Sequence, residues 1–290
     1  VMQSSGGMLD ANSVLSKPAR IVECGPAAGV IGAQHLSRMH GLGDLITLDM
    51  GGTTAKASII EKGKAIEADE YEVGSDMSAN SPLVGGGGYV LKLPAIDISE
   101  VGAGGGSIAW LDRAGALKIG PRSAGAVPGP ACYGSGNSEP TVTDANVALG
   151  YLNPESLAGG TVRIDADLAR GAIADRIATG MQRSVLECAF GIHSVANANM
   201  MRAVKAVTTF RGRDPRNYSL VAFGGNGGVH GMALARELQI RRVVLPPGAG
   251  VFSAVGLLFS NIETSETAPF HHPAAAVDSA RAEAIFSDLE

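Results

Sequence analysis

Between residues 45 and 60 the chain reads Leu-Ile-Thr-Leu-Asp-Met-Gly-Gly-Thr-Thr-Ala-Lys-Ala-Ser-Ile-Ile, and this stretch constrains the fold more than any other. Two apolar runs rich in β-branched residues flank a Gly-Gly-Thr-Thr turn, which predicts an antiparallel hairpin. Asp49 leads into the turn and Lys56 leads out of it. Gly51 and Gly52 bare their backbone N–H groups, which can converge on an anion, and the hydroxyls of Thr53 and Thr54 add side-chain donors. Asp49 has the chemistry to hold the water shell of Mg²⁺, an ion that keeps most of its waters and needs only one or two carboxylates. On these residues alone, a phosphate-binding turn and a hairpin whose glycines merely reverse the chain stand side by side.

The surroundings narrow the choice of fold. A second turn, Glu61-Lys62-Gly63-Lys64, leads to a third strand over residues 65–73, so the pattern is an antiparallel meander. A Walker-type phosphate loop ends in Gly-Lys-Ser/Thr and feeds a helix, and this turn does neither. Upstream, residues 19–24 predict a short apolar strand. Gly25-Pro26 then opens a helix to about His40, with proline in the first turn and Gly41 at the C′ position. Gly25, Gly29, Gly32 and Ala33 leave one face of that helix nearly bare, so another element can approach closely.

Residues 74–143 are the least regular part, rich in Gly and Pro, with one hairpin predicted over 107–112 and 116–120. Gly102-Ala103-Gly104-Gly105-Gly106-Ser107 is not a dinucleotide fingerprint, because Ser107 takes the third glycine place and no helix pattern follows. Thr143 or Asp144 is expected to cap a short helix through Tyr151, a longer helix follows Asp165, and Ser184 with Glu187 forms a capping box for a helix reaching about Phe210. A β-α-β unit comes next: strand 218–223, the loop Gly224-Gly225-Asn226-Gly227-Gly228, helix 229–238 and strand 242–245. Such a loop at a helix N-terminus is either an anion or nucleotide site or a plain crossover. Residues 251–260 form a final apolar helix candidate.

Composition excludes several classes. The net charge of −5 is spread along the chain, so neither nucleic acid nor an anionic membrane is an expected partner. No apolar run approaches a membrane span, and the first residues of the sequence lack the basic and apolar regions of a signal peptide. The start at Val1 and the helical look of the last residues lead us to expect a piece of a longer protein. Three scattered cysteines, Cys24, Cys132 and Cys188, argue against a disulfide framework and fit a reducing cytoplasm. The histidines show no metal spacing, and the His271-His272 pair sits in a Pro/Ala-rich stretch.

Taken together, a helix with a small-residue face, a meander with an Asp-x-Gly-Gly-Thr turn, a helical insertion, a strand-Gly-Gly-helix unit and a second small-residue helix resemble the second lobe of the actin-like ATPase superfamily. More closely, the chain resembles the central domain of the hydantoinase A/oxoprolinase family. The motifs that carry this are Cys24-Gly25-Pro26-Ala27-Ala28-Gly29-Val30, Leu48-Asp49-Met50-Gly51-Gly52-Thr53-Thr54, Val101-Gly102-Ala103-Gly104-Gly105-Gly106-Ser107-Ile108-Ala109-Trp110, Pro128-Gly129-Pro130-Ala131-Cys132-Tyr133-Gly134, Pro140-Thr141-Val142-Thr143-Asp144-Ala145-Asn146, Ala222-Phe223-Gly224-Gly225 and Gly250-Val251-Phe252-Ser253-Ala254-Val255-Gly256. Two departures stand out. Lys56 replaces an acid found in many members, and Asn226-Gly227-Gly228-Val229-His230 replaces Ala-Gly-Pro-Leu-His.

The resemblance implies an α/β fold: an actin-like ATPase (ribonuclease H-like) lobe with a mixed sheet, built from the meander and the β-α-β unit, and an inserted Gly-rich and helical subdomain. The expected division is a connection from a missing N-terminal lobe over 1–18, the core lobe over 19–73 and 184–265, the insertion over 74–183, and the start of a C-terminal region over 266–290. It implies ATP-dependent opening of a small cyclic amide such as a hydantoin or 5-oxoproline, with a B-type subunit as partner beside the missing lobe. ATP and Mg²⁺ are the implied cofactors. Asp49, Thr53 and Thr54 are the catalytic candidates, and Asp49 is the metal candidate. Gly51, Gly52, Thr53, Thr54 and Lys56 are expected at the phosphates, and Gly224, Gly225, Asn226 and Gly227 on the adenosine side. Two other readings remain: a component of an ATP-dependent carboxylase of acetone or acetophenone type, and an isolated lobe serving as an assembly or weak nucleotide-binding module. The chain alone is expected to be inactive.

Overall fold

The structure, a computed structural model, describes residues 1–73, 88–264, 268–271 and 278–289. His272, half of the histidine pair, and residues 74–87, just after the third predicted strand, lie outside the described residues. The apolar hairpin sits at the centre. Strands β1 (Leu45–Met50) and β2 (Ala55–Glu61) pair antiparallel, with Asp49 opposite Lys56 and Leu45 opposite Ile60. On the far edge of β2, the two-residue β3 (Lys64–Ala65) pairs with its end and β4 (Ile98–Val101) with its start. On the other side, β1 is parallel to β7 (Ser219–Phe223), which is parallel to β8 (Val243–Val244); β5 (Ser107–Leu111) and β6 (Leu117–Ser123) form a separate hairpin.

This is a mixed α/β architecture, because the chain supplies a hairpin meander on one side of β1 and a βαβ crossover on the other. The expected third strand is broken: only Lys64–Ala65 joins the main sheet, and Glu67–Ala68 and Tyr71–Val73 pair elsewhere. Ile66 N–H donates to Ile59 and its carbonyl accepts from Asp97, so the strand peels away as the 95–101 segment takes over the edge. The strand expected over 19–24 is also absent. Pro18–Ile21 is a 3₁₀ turn, whose Arg20 carbonyl accepts from Ser4, so its backbone pairs with the N-terminal segment and not with a sheet edge.

Both faces of the sheet are covered by helices. Because side chains alternate along a strand, Ile46, Leu48, Met50, Ala57, Ile59, Leu220 and Ala222 share one core. Helices α2 (Val142–Ala148), α3 (Ala166–Ile173), α4 (Val185–Val207) and α5 (Gly227–Glu237) all contribute buried residues to it. The opposite face, with Leu45, Ile60, Ile98, Val221 and Phe223, packs on α1 (Cys24–His40) and α6 (Phe252–Gly256).

Local chemistry sets the helix ends. Gly41 takes the left-handed conformation (φ 61°) that stops α1 and returns its N–H to the Ser37 carbonyl. The Ser184 and Glu187 capping box starts α4 as expected, an arrangement worth about 1 kcal/mol. At α2 the cap is Thr141, two or three residues earlier than the sequence suggests, with Asp144 as the reciprocal partner. The predicted helix over 251–260 is shorter: five α-helical residues run into a 3₁₀ turn at Leu257–Phe259.

Where α1 meets α6 the backbones are in contact. A Cβ on Gly256 would stand 1.9 Å from the Ala28 carbonyl oxygen, and one on Gly29 would stand 2.5 Å from the Phe223 ring. The small-residue face of α1 is therefore filled by another helix. Among the described residues no helix is long and apolar enough to cross a membrane.

Candidate functional site

β1 and β7 run parallel, so their C-terminal ends open on the same edge of the sheet, and each is followed by a Gly-rich loop. The first loop, Gly51 to Thr54, is closed by a 3.1 Å bond from Gly51 N–H to the Thr54 carbonyl. Gly52 and Thr53 are exposed, and their N–H groups donate to no acceptor among the described residues. No atom lies within 4 Å of where a Cβ would project from Gly51 or Gly52. Unpaired backbone donors in an exposed turn are what an anion-binding turn requires.

The second loop lies against the first. Asn226 donates from its backbone to the Met50 carbonyl (3.0 Å) and from its side chain to the Gly51 carbonyl (3.3 Å). Gly224 has φ 81°, a conformation that favours glycine, and a Cβ there would come within 2.5 Å of Asp49 Oδ1. Gly225 faces open space, and Gly227 is buried at the start of α5. The structure thus brings Asp49, Gly51 to Thr54 and Gly224 to Gly227 to one edge.

A third glycine run backs the turn from behind. Gly105 N–H donates to the Gly51 carbonyl (3.0 Å) and Gly106 N–H to the Gly52 carbonyl (2.6 Å). A Cβ on Gly104 would lie 2.5 Å from the backbone of Gly52 and Thr53. The sequence shows this run plainly but gives no sign of its partner, since the contact spans about fifty residues of chain.

Asp49 sits at the base of the site. Its carboxylate accepts from Ser253 Oγ of α6 at 3.3 Å. Burial pushes its pKa up, and the opposing charge of Lys56 and the Ser253 hydroxyl only offset this. Lys56 is engaged inside the protein. Its ammonium lies 2.7 Å from Glu100 Oε1, on β4, and donates to Thr54 Oγ1 at 2.9 Å. With Oγ1 accepting from the ammonium, the Thr54 hydroxyl proton is free to point elsewhere. Glu100 and Ser253 were not evident as site residues from the sequence, because each is placed by a strand or helix distant in the chain. Ser253 does fall within the Gly250 to Gly256 motif.

Cys132 and Asp144 serve the fold. Cys132 is buried, and burial with the neighbouring Asp144 carboxylate pushes its thiol well above the ordinary range, so it is unreactive. Asp144 accepts from the backbone of Ala131 (3.1 Å), Cys132 (2.8 Å) and Thr141 (2.8 Å), which ties the Pro128 to Gly134 loop to the start of α2. Among the described residues no group of three or more His, Cys, Asp or Glu is placed to hold a metal ion.

The profile of the hydantoinase/oxoprolinase family matches residues 1–266. An uncharacterized protein of Methanocaldococcus jannaschii is 45% identical over 289 residues, covering 100% of this chain and 42% of its own length. The crystal structure of ATP-dependent caprolactamase from Pseudomonas jessenii superposes with a TM-score of 0.73 at 37% identity, covering 90% of this chain and 36% of that one. A nucleotide-free structure of acetone carboxylase, an enzyme of ATP-dependent acetone carboxylation, gives a TM-score of 0.75 at 31% identity over 89% of this chain and 34% of its own. The chain therefore spans well under half the length of each of these relatives.

Proposed function

Because the chain belongs to the hydantoinase/oxoprolinase family, we propose that it is the nucleotide-binding lobe, of actin-like type, of an ATP-dependent enzyme that opens a cyclic amide. The observation that carries this reading is the meeting of the two Gly-rich loops, joined by Asn226 to Met50 and Gly51, at the carboxyl ends of parallel strands. Ligands of open α/β sheets bind at such edges.

The residues present fit the implied cofactors. The unpaired N–H groups of Gly52 and Thr53 and the Thr54 hydroxyl would hold phosphate oxygens, and Gly224 to Gly227 would border the adenosine. Asp49 would hold Mg²⁺ through water, since that ion retains most of its hydration shell and needs only one or two carboxylates. When bound, the nucleotide supplies a phosphoryl group that turns the poor electrophile of an amide into one with a leaving group on its former carbonyl oxygen. The protein's contribution is positioning. Gly105 and Gly106 engage the Gly51 and Gly52 carbonyls, and Glu100 holds Lys56 against the Thr54 oxygen, leaving the hydroxyl proton to donate elsewhere. In this reading Lys56 acts on the phosphates through Thr54.

The rest of the enzyme, an N-terminal lobe and a companion subunit, would supply the other half of the nucleotide clamp and the hydrolytic step. The likeness to acetone carboxylase supports a second reading, in which the same lobe serves a ketone carboxylase. Phosphate release by the full-length protein with its companion subunit separates the two. Stimulation by 5-oxoproline, hydantoin or caprolactam supports the amide reading, and stimulation by acetone or acetophenone alone transfers the assignment to the carboxylase. Nucleotide binding with neither stimulation leaves a binding module.

A further inference from the structure

On the face of the sheet that packs against α1, the hairpin carries four polar side chains side by side. Antiparallel register sets Thr47 opposite Ser58 and Asp49 opposite Lys56, and because side chains alternate, both pairs project to the same face as Leu45 and Ile60. Partners across the strands stand about 5 Å apart and the two pairs about 7 Å apart along them, so the four Cβ atoms frame a small rectangle. All four residues line one cavity of about 10 Å³, with Val30 of α1 and Phe223 of β7 among its apolar walls. That volume admits one water molecule.

The polar groups of these residues have unused capacity. Ser58 is 1% exposed, and its Oγ has no hydrogen-bond partner among the described residues. Buried hydroxyls are paired as a rule, because an unmade bond leaves the cost of desolvation uncompensated. Lys56 donates two of its three ammonium protons, to Thr54 and Glu100, and the third meets no acceptor among the described residues. The Asp49 carboxylate, which can accept about four bonds, receives one long bond from Ser253 at 3.3 Å. Thr47 Oγ1 is turned to the Ser58 carbonyl, at 3.5 Å. Two donors without acceptors and an acceptor with room for more thus belong to residues that border a space of one water molecule.

We infer that one buried water molecule occupies this cavity, accepting from Ser58 Oγ–H and from the third Lys56 N–H and donating to the Asp49 carboxylate, so that Ser58 is a positioning residue for Asp49. Three bonds are what a buried water typically makes. The water and Ser253 hold the carboxylate from two sides, one from β2 and one from α6. The water also continues the line that runs from Thr54 to Lys56, which joins the hydroxyl proposed for phosphate to the carboxylate proposed for Mg²⁺. That the joined groups serve a nucleotide rests on the reading above, and the water itself does not.

The test is a crystal structure of the full-length protein, native and as Ser58→Ala and Ser58→Val, with thermal unfolding of the same three preparations. The expected native result is one density peak within about 3.2 Å of Ser58 Oγ, an Asp49 oxygen and Lys56 Nζ. Ser58→Ala should keep the peak on its two remaining partners and melt slightly lower. Ser58→Val, whose methyl groups take the space, should lose the peak, turn the Asp49 carboxylate from its native position and melt about 3 °C or more below the native protein, since Asp49 and Lys56 are left without their shared partner. An empty cavity in the native protein, or an Asp49 carboxylate unmoved in Ser58→Val, would overturn the inference. So would melting of both variants at or above the native temperature, which is the result for a hydroxyl that simply lacks a partner. Nucleotide binding by the native protein is read separately by calorimetry, and its absence with the peak in place overturns the nucleotide reading while the water stands.

Discussion

Two glycine-rich regions that look alike in sequence use the missing side chain in opposite ways. At the crossing of α1 and α6, glycine is a means of contact: the backbones of Ala28 and Gly256 approach until no methyl group fits between them. At the Gly51 to Thr54 turn, glycine is a means of access: the space a side chain would take is empty, and the Gly52 and Thr53 amides have no acceptor among the described residues. Asp49 links the two regions, with its carboxylate at the base of the open turn and its Ser253 partner on the packed helix. A crowded glycine is a statement about stability and an open one a statement about ligands.

The strongest attack on this comparison is Gly256→Val. Its branched side chain collides with the backbone of α1, which cannot yield as a flexible side chain would, so the expected cost is about 3 kcal/mol or more and soluble folded protein is lost. Denaturant unfolding of Gly256→Ala, if Val does not fold, gives the number. A Gly256→Ala stability equal to that of the native chain would remove the distinction.

Gly104→Ala tests the backing of the turn. Its methyl meets the Gly52 and Thr53 backbone, so the expected loss is about 1–3 kcal/mol together with weakened nucleotide binding, read by calorimetry on one preparation.

Asp49→Asn tests the link between the regions. A carboxyl whose folded pKa is raised binds more protons in the folded than in the unfolded chain, so stability falls as pH rises from its ordinary value of 3.8 through its folded value and stays reduced above it. The amide escapes that loss. Above that window the variant is expected to melt a few degrees higher than the native chain without ligand, and to lose the Mg²⁺ dependence of nucleotide binding. A variant that melts lower at neutral pH and keeps Mg²⁺ dependence would move Asp49 from the site to the scaffold.

The smallest stability effect belongs to Gly52→Ala. The site is open and its φ is not positive, so unfolding should change by less than about 0.5 kcal/mol while nucleotide affinity drops. Equal affinity in the two proteins would show that the open turn is not where phosphate sits.

Much of this was legible in the chain. Alternation of apolar residues over the hairpin, the Ser184 and Glu187 box, Gly41 as a helix stop and the β-α-β unit each rest on neighbours within a few residues, where periodicity and capping chemistry act. The same local reading failed where a distant segment competed. Residues 19–24 pair with Ser4 and form no strand, the third strand yields its edge to β4, and the α2 cap moves to Thr141.

By itself the sequence determined most of the elements, the order in which they follow, and which residue types stand ready at the turn: glycines, hydroxyls and one carboxylate. Only the tertiary structure decided what each of them meets. It laid Asn226 on Gly51, set Gly105 and Gly106 behind the turn, gave Lys56 to Glu100, and tied His230 to Asn146 and Asn197. The physical reason is that hydrogen-bond satisfaction and close packing are properties of neighbours in space, and a sequence specifies neighbours along the chain.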